Sequence, residues 1–110
     1  MLERARAIDT PAGRFLSDVL QAFAARYKRS AGFEAPPVHD PCAVAYVIDP
    51  SIVETEAHPV HVECRGGLTR GMTVVDRRRS APKDGHVRVA VRLDKGKFWN
   101  TLFAAVERLR

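Results

Sequence analysis

Apolar side chains recur at Phe15, Val19, Phe23 and Tyr27, with Leu16 and Leu20 beside them, and steps of four mark one face of a helix. Thr10 stands ahead of this stripe as a cap, Pro11 falls in the first turn, and Gly32 is the expected stop. Phe15, Val19 and Phe23 are expected to be core, whereas Tyr27 carries a hydroxyl that needs a partner and is left more open. Met1 to Ala7 reads as a charged, alanine-rich helical piece that starts without a capping residue.

The next stretch, Pro36-Pro37-Val38-His39-Asp40-Pro41, changes character. The two prolines hold the chain extended, Asp40 has the position of an N-cap, Pro41 that of a first helical residue, and Ala43 to Ile48 continue as an apolar helix that Asp49-Pro50 ends. The open end of a helix presents unpaired N–H groups and the positive end of its dipole, so a side chain fixed there suits anions and exchangeable protons.

Ser51 to Glu54 reads as one more turn. Then the period falls to two. Val60, Val62 and Cys64 alternate with His61, Glu63 and Arg65, Gly66-Gly67 marks a turn, and Thr69 to Arg77 returns as a second strand. After a polar loop over Arg78 to Gly85, Val87, Val89, Val91 and Leu93 alternate with Arg88, Ala90 and Arg92 as a third strand, one face buried and one wet. Asp94 is placed to cap a last helix whose Phe98, Trp99, Leu102, Phe103, Val106 and Leu109 form a wide apolar face, expected to cover the sheet.

Composition narrows the possibilities without choosing among them. A chain of 110 residues can bury roughly 65% of its unfolded surface, enough for one small domain, and its apolar and charged fractions are those of a globular protein rather than a disordered one. Cys42 falls in a helix and Cys64 in a strand, a usage that fits a reducing compartment better than a disulfide framework. With no apolar run long enough for a bilayer and no signal-peptide pattern, the sequence reads as cytoplasmic and free of the membrane. Eighteen Lys and Arg against thirteen Asp and Glu leave +5 charges and raise the question of nucleic acid. The one dense cluster, Arg77-Arg78-Arg79, has no interleaved aromatic residues and no recognised nucleic-acid motif around it, so nucleic acid is not the expected partner and a solvated loop is.

The run Pro37-Val38-His39-Asp40-Pro41-Cys42-Ala43-Val44-Ala45, closed by Asp49-Pro50, resembles the C-terminal motif of the inosine/uridine-preferring nucleoside hydrolases. The resemblance extends upstream to Thr10-Pro11-Ala12-Gly13-Arg14-Phe15 and downstream to Arg65-Gly66-Gly67-Leu68-Thr69-Arg70-Gly71-Met72-Thr73-Val74-Val75-Asp76, and so takes in nearly the whole chain. It implies an α/β architecture, the C-terminal portion of a Rossmann-like nucleoside hydrolase fold: helices, a three-stranded antiparallel sheet and a C-terminal helix. Residues 1–110 are then one partial domain, and the uncapped start fits a piece of a longer element.

By the same resemblance, His39 matches the family histidine near the leaving base, Tyr27 lies where an aromatic residue faces the nucleobase, and Asp40 matches a ligand of bound calcium. The implied substrate is a ribonucleoside, whose N-glycosidic bond is hydrolysed to ribose and free base. Imidazole suits the assigned task, because it exchanges protons near neutrality. Read without the resemblance, Asp40 is a helix cap with no metal and His39 a half-buried histidine with its hydrogen bonds satisfied. His58, His61 and His86 show no metal-ligand spacing and read as surface residues.

The chain departs from the family in one large respect. No two of Asp9, Asp18, Asp40, Asp49, Asp76, Asp84 and Asp94 are close in sequence, whereas the family carries an N-terminal aspartate cluster that supplies most of the calcium ligands and the base that activates water. Calcium takes about six to eight oxygens. The expectation is therefore an incomplete site, inactive alone, with self-association or dependence on the missing N-terminal portion. A non-catalytic α/β module and a basic nucleic-acid binder using Arg77 to Arg79 are the alternatives from other classes.

Overall fold

In a computed structural model, which describes residues 1–33, 35, 37–82 and 86–109, the chain forms four α-helices and a three-stranded antiparallel sheet. Two compact units emerge: a helical one, Met1–Ile52 with Asp94–Arg110, and a sheet, Val53–Leu93.

In the helical unit, α1 (Leu2–Ala7) has no side-chain cap at its start, as its sequence predicts. The next helix, α2 (Pro11–Ala31), is capped by Thr10, whose hydroxyl accepts from the Gly13 N–H at 3.1 Å, and is ended by Gly32 at φ 69°. That left-handed turn suits glycine, which has no Cβ to clash. The face that α2 buries is one step round from the expected one. Gly13, Ser17 and Leu20 are buried, Val19 is half-buried, and Phe15 and Phe23 stand 71% and 46% exposed, so the aromatic part of the stripe is not core. The cause is the close approach of α1's exit: Ile8 packs on the bare Cα of Gly13, and this contact fixes which side of α2 turns inward.

The core consists of Ala5, Ile8, Leu20 and Phe103, with Leu16, Val38, Trp99 and Val106 packed around it. Phe103 comes from α4 (Lys95–Glu107), which Asp94 caps through the Lys97 N–H at 3.0 Å. The face of α4 predicted to cover the sheet is used inside the helical unit. Trp99 stacks on Phe103 and meets Phe98 edge-on, with ring centres 5.5 and 4.9 Å apart, and the Arg4 guanidinium lies over the Phe103 ring. Leu109 falls beyond the end of α4 and is exposed rather than part of its face.

The third helix, α3 (His39–Ile48), starts two residues earlier than the sequence suggested. Val38 is its N-cap, without a side-chain bond, and Asp40 is a helical residue of the first turn instead of the cap. Pro41 tolerates the shift because the first four N–H groups of a helix have no intrahelical partner, so its missing donor costs no bond there. Of the two prolines expected to hold the entry extended, Pro36 lies outside the described residues. Asp49-Pro50 ends the helix as predicted, and Ser51, through its hydroxyl and through its N–H at 2.9 Å, holds the Asp49 carboxyl below the usual carboxylate range.

In the sheet unit the order is β2-β1-β3, and the central strand β1 (Val53–Val62) is much longer than its period-two segment. A single 3₁₀ turn over Pro50–Ile52 replaces the turn expected through Glu54, and pairing with β3 (His86–Leu93) begins at Val53↔Leu93. A bulge between Glu54 and Thr55 and the proline at position 59 hide this half of the strand from pattern reading. Pro59 fits because its carbonyl, and hence its nitrogen, faces the side where β2 pairing begins only at Val60. The return strand β2 is correspondingly short (Thr73–Val75), since residues 67–71 form a turn wider than Gly66-Gly67 alone. The Glu63 carboxylate fastens that turn, accepting from the N–H groups of Arg65 and Gly66 at 2.6 and 2.9 Å, bonds that lower its pKa.

Two of the three clustered arginines hold carboxylates. Arg78 forks onto Asp76 at 2.6 and 2.9 Å and Arg77 meets Glu56 at 3.2 Å, which favours the solvated-loop reading over a nucleic-acid surface. The loop expected over Arg78–Gly85 is described only as far as Pro82. His58 is half-buried, 2.8 Å from Glu56, His61 is exposed, and the His86 side chain lies outside the described residues.

Candidate functional site

The start of α3 meets the aromatic face of α2 in a groove of about 250 Å³, and Tyr27, His39 and Asp40 all line it. The sequence separates Tyr27 from His39 by eleven intervening positions, and the turn-back after Gly32 brings them to one place. His39 and Asp40, the first two residues of α3, are exposed, and Tyr27 is half-buried. Leu16, Leu20, Phe23 and Val38 supply the apolar wall, so the groove has a greasy floor and a polar lip. An imidazole and a carboxylate on such a lip can exchange a proton or accept hydrogen bonds from a ligand seated on the aromatic floor.

Tyr27 is the middle ring of three. Its centre is 6.2 Å from that of Phe23, nearly parallel, and 6.3 Å from that of Phe33. Phe33 was not singled out from the sequence, although a signal for it exists: the residue after a left-handed glycine cap commonly folds back onto the last turn of the helix. Phe23, expected in the core, is the other addition.

These features sit within a match to the sequence profile of the inosine-uridine preferring nucleoside hydrolases that runs over residues 1–100. The chain belongs to the inosine-uridine preferring nucleoside hydrolase family. It is 45% identical to the inosine-uridine preferring nucleoside hydrolase of Crithidia fasciculata over 99% of its own length and 35% of that protein's, and 44% identical to the enzyme of the same name from Leishmania major over 97% and 34%. Among solved structures, the purine-preferring ribonucleoside hydrolase from Gardnerella vaginalis matches 96% of the chain and 34% of its own, with a TM-score of 0.74 and 31% identity. The chain thus spans about a third of the length of these relatives.

Calcium is the metal implied for this site, and the residues present do not fit it. Among the described residues no group of three or more His, Cys, Asp or Glu side chains converges. Asp40 stands as an isolated exposed carboxylate, far short of the oxygens that calcium requires. Cys42, on the same helix, is half-buried, and burial pushes its thiol pKa up, away from reactive thiolate.

Proposed function

We propose that this member of the nucleoside hydrolase family takes part in hydrolysing the N-glycosidic bond of ribonucleosides, with His39 as the proton donor to the departing base. The observation that carries the reading is that His39, Asp40 and Tyr27 line one groove with an aromatic floor. In this reaction the C1′–N bond breaks, water adds its oxygen to C1′ and loses a proton, and the base leaves with a proton on nitrogen. His39 supplies that proton from its ring and regains one from solvent, while Tyr27 faces the base. General-acid assistance of this kind contributes about 10²–10⁴-fold in rate. The products, free ribose and free base, are those of nucleoside breakdown and salvage.

Metal chemistry is not assigned to this chain. If Asp40 ligates calcium in a complete enzyme, the other oxygens come from elsewhere, and so does the group that activates water. Hydrolysis by the chain alone is therefore expected to be absent. Cys42 and Cys64 are both free, a usage that fits a cytoplasmic setting, and among the described residues no helix is long and apolar enough to cross a membrane.

The test is hydrolysis of inosine and uridine in millimolar calcium, by the chain alone and after mixing with the N-terminal portion of a related hydrolase. The reading predicts turnover only on mixing, lost in His39→Ala. Turnover that survives His39→Ala undiminished, or a bound complex with no turnover at all, would overturn it and leave a non-catalytic module.

A further inference from the structure

A left-handed glycine at the end of a helix sends the next residue back along the last turn, where it commonly packs on an apolar side chain. Gly32, at φ 69°, donates its N–H to the Lys28 carbonyl, and Phe33 returns to Tyr27, with ring centres 6.3 Å apart and planes inclined by 35°. Phe23, one turn earlier on α2, gives Tyr27 a second ring neighbour at 6.2 Å. Both distances lie in the range over which aromatic rings attract one another. The rings differ in task, however. Among the described residues that line the His39 groove are Phe23 and Tyr27 but not Phe33. Phe33 is also 53% exposed, so it does not fill the core. A staple for the helix end would work with any apolar side chain on the last turn. Here the stapled side chain is a ring of the groove.

We propose that Phe33 is a positioning residue for the nucleobase: it holds Tyr27 in the orientation in which that ring faces the base, and through Tyr27 it sets base preference. The inference rests on the proposed reading of Tyr27 and His39 and deepens it. Without Phe33, the Tyr27 ring spends more time in rotamers that do not meet the base, and apparent affinity falls in proportion to the competent population lost. A ring pair of this kind corresponds to about a two- to tenfold shift in such a population. The loss is larger for inosine than for uridine, because the two fused rings of hypoxanthine cover more of the tyrosine ring than the single ring of uracil does. Phe33 acts on the base through Tyr27 and leaves the proton transfer assigned to His39 as it is, so the change falls on KM rather than on kcat.

The test compares the parent with Phe33→Ala and Phe33→Tyr, each full chain complemented with a saturating N-terminal portion of a related hydrolase, on inosine and uridine. Phe33→Ala is expected to raise KM for inosine about two- to tenfold and KM for uridine less, with kcat held within about twofold. It should melt like the parent, since the side chain is half in water. Phe33→Tyr keeps the ring and should return KM to the parent value. An unchanged KM for inosine in Phe33→Ala, equal rises for the two substrates, a loss confined to kcat, a lowered Tm, or no rescue by Phe33→Tyr would each overturn the proposal. The two readings fail differently. A parent that hydrolyses neither nucleoside removes the catalytic reading, and the role of Phe33 falls with it. A parent whose turnover depends on His39 but ignores Phe33 removes the positioning role alone.

Discussion

Gly13→Ala separates two opposing effects whose sizes can be compared. Alanine in a helix is favoured over glycine by at most about 1 kcal/mol, so at an ordinary helical position the change stabilises. At Gly13 an added Cβ would lie 2.7 Å from the Ile8 Cβ and would also overlap the Ile8 carbonyl oxygen. That oxygen cannot simply withdraw, because it accepts the Thr10 N–H at 2.9 Å, and the Ile8 side chain belongs to the core. Overpacking of this kind costs about 1–3 kcal/mol, with the upper half of the range expected where backbone must move. The net expectation is destabilisation by about 1–2 kcal/mol, or a fall in Tm of roughly 5–10 °C for a chain of this size. Thermal melts followed by circular dichroism measure it, with Gly96→Ala as the control. There the new Cβ meets only the Asp94 carboxylate at 3.4 Å, and a gain of up to about 1 kcal/mol is expected. If Gly13→Ala melted at or above the parent temperature, the account of how Ile8 selects the buried face of α2 would be wrong.

Phe103→Ala removes a fully buried ring of the helical core and should cost about 3–5 kcal/mol in urea unfolding; a loss below about 1 kcal/mol would place the core elsewhere. Asp76 gives a pH test. The Arg78 guanidinium and N–H hold its carboxyl down to about 2, below the ordinary carboxylate value near ~3.9, so its stabilising contribution is complete above about pH 4 and is lost as pH falls towards 2. Melting of the parent and of Asp76→Asn should differ at neutral pH and converge in acid; a constant difference would contradict the pairing. Replacing Tyr27 by Phe or Ala in a reconstituted enzyme should shift the preference between inosine and uridine more than it lowers Tm, and equal loss of folding would return Tyr27 to the core.

The helices were largely legible because their punctuation is local. Thr10, Gly32, Asp49-Pro50 and Asp94 act where they stand, and the structure uses each of them as predicted. What failed was long-range. The spacing of Phe15, Val19 and Phe23 marks an apolar stripe, but which side of α2 turns inward is decided by Ile8 meeting Gly13, a contact that periodicity does not contain. Asp40 has the residue type of a cap and the helix begins before it, because a proline in the first turn costs no bond wherever in that turn it falls. The first half of β1 escaped because its alternation is broken by a bulge and by Pro59, both of which become sensible only once β3 and β2 lie alongside. Tyr27, His39 and Asp40 were each nameable from the sequence, but their convergence on one groove depends on the turn-back through Phe33.

His39 as proton donor makes one direct demand on kinetics. A general acid must be protonated to act, so inosine hydrolysis by the complemented chain should fall at high pH. The measurement is the pH profile of kcat/KM for the parent and for His39→Ala. The account predicts a basic limb in the parent and, in the variant, a rate lower by about 10²–10⁴-fold with that limb gone. An unchanged limb in His39→Ala would show that the proton comes from another group.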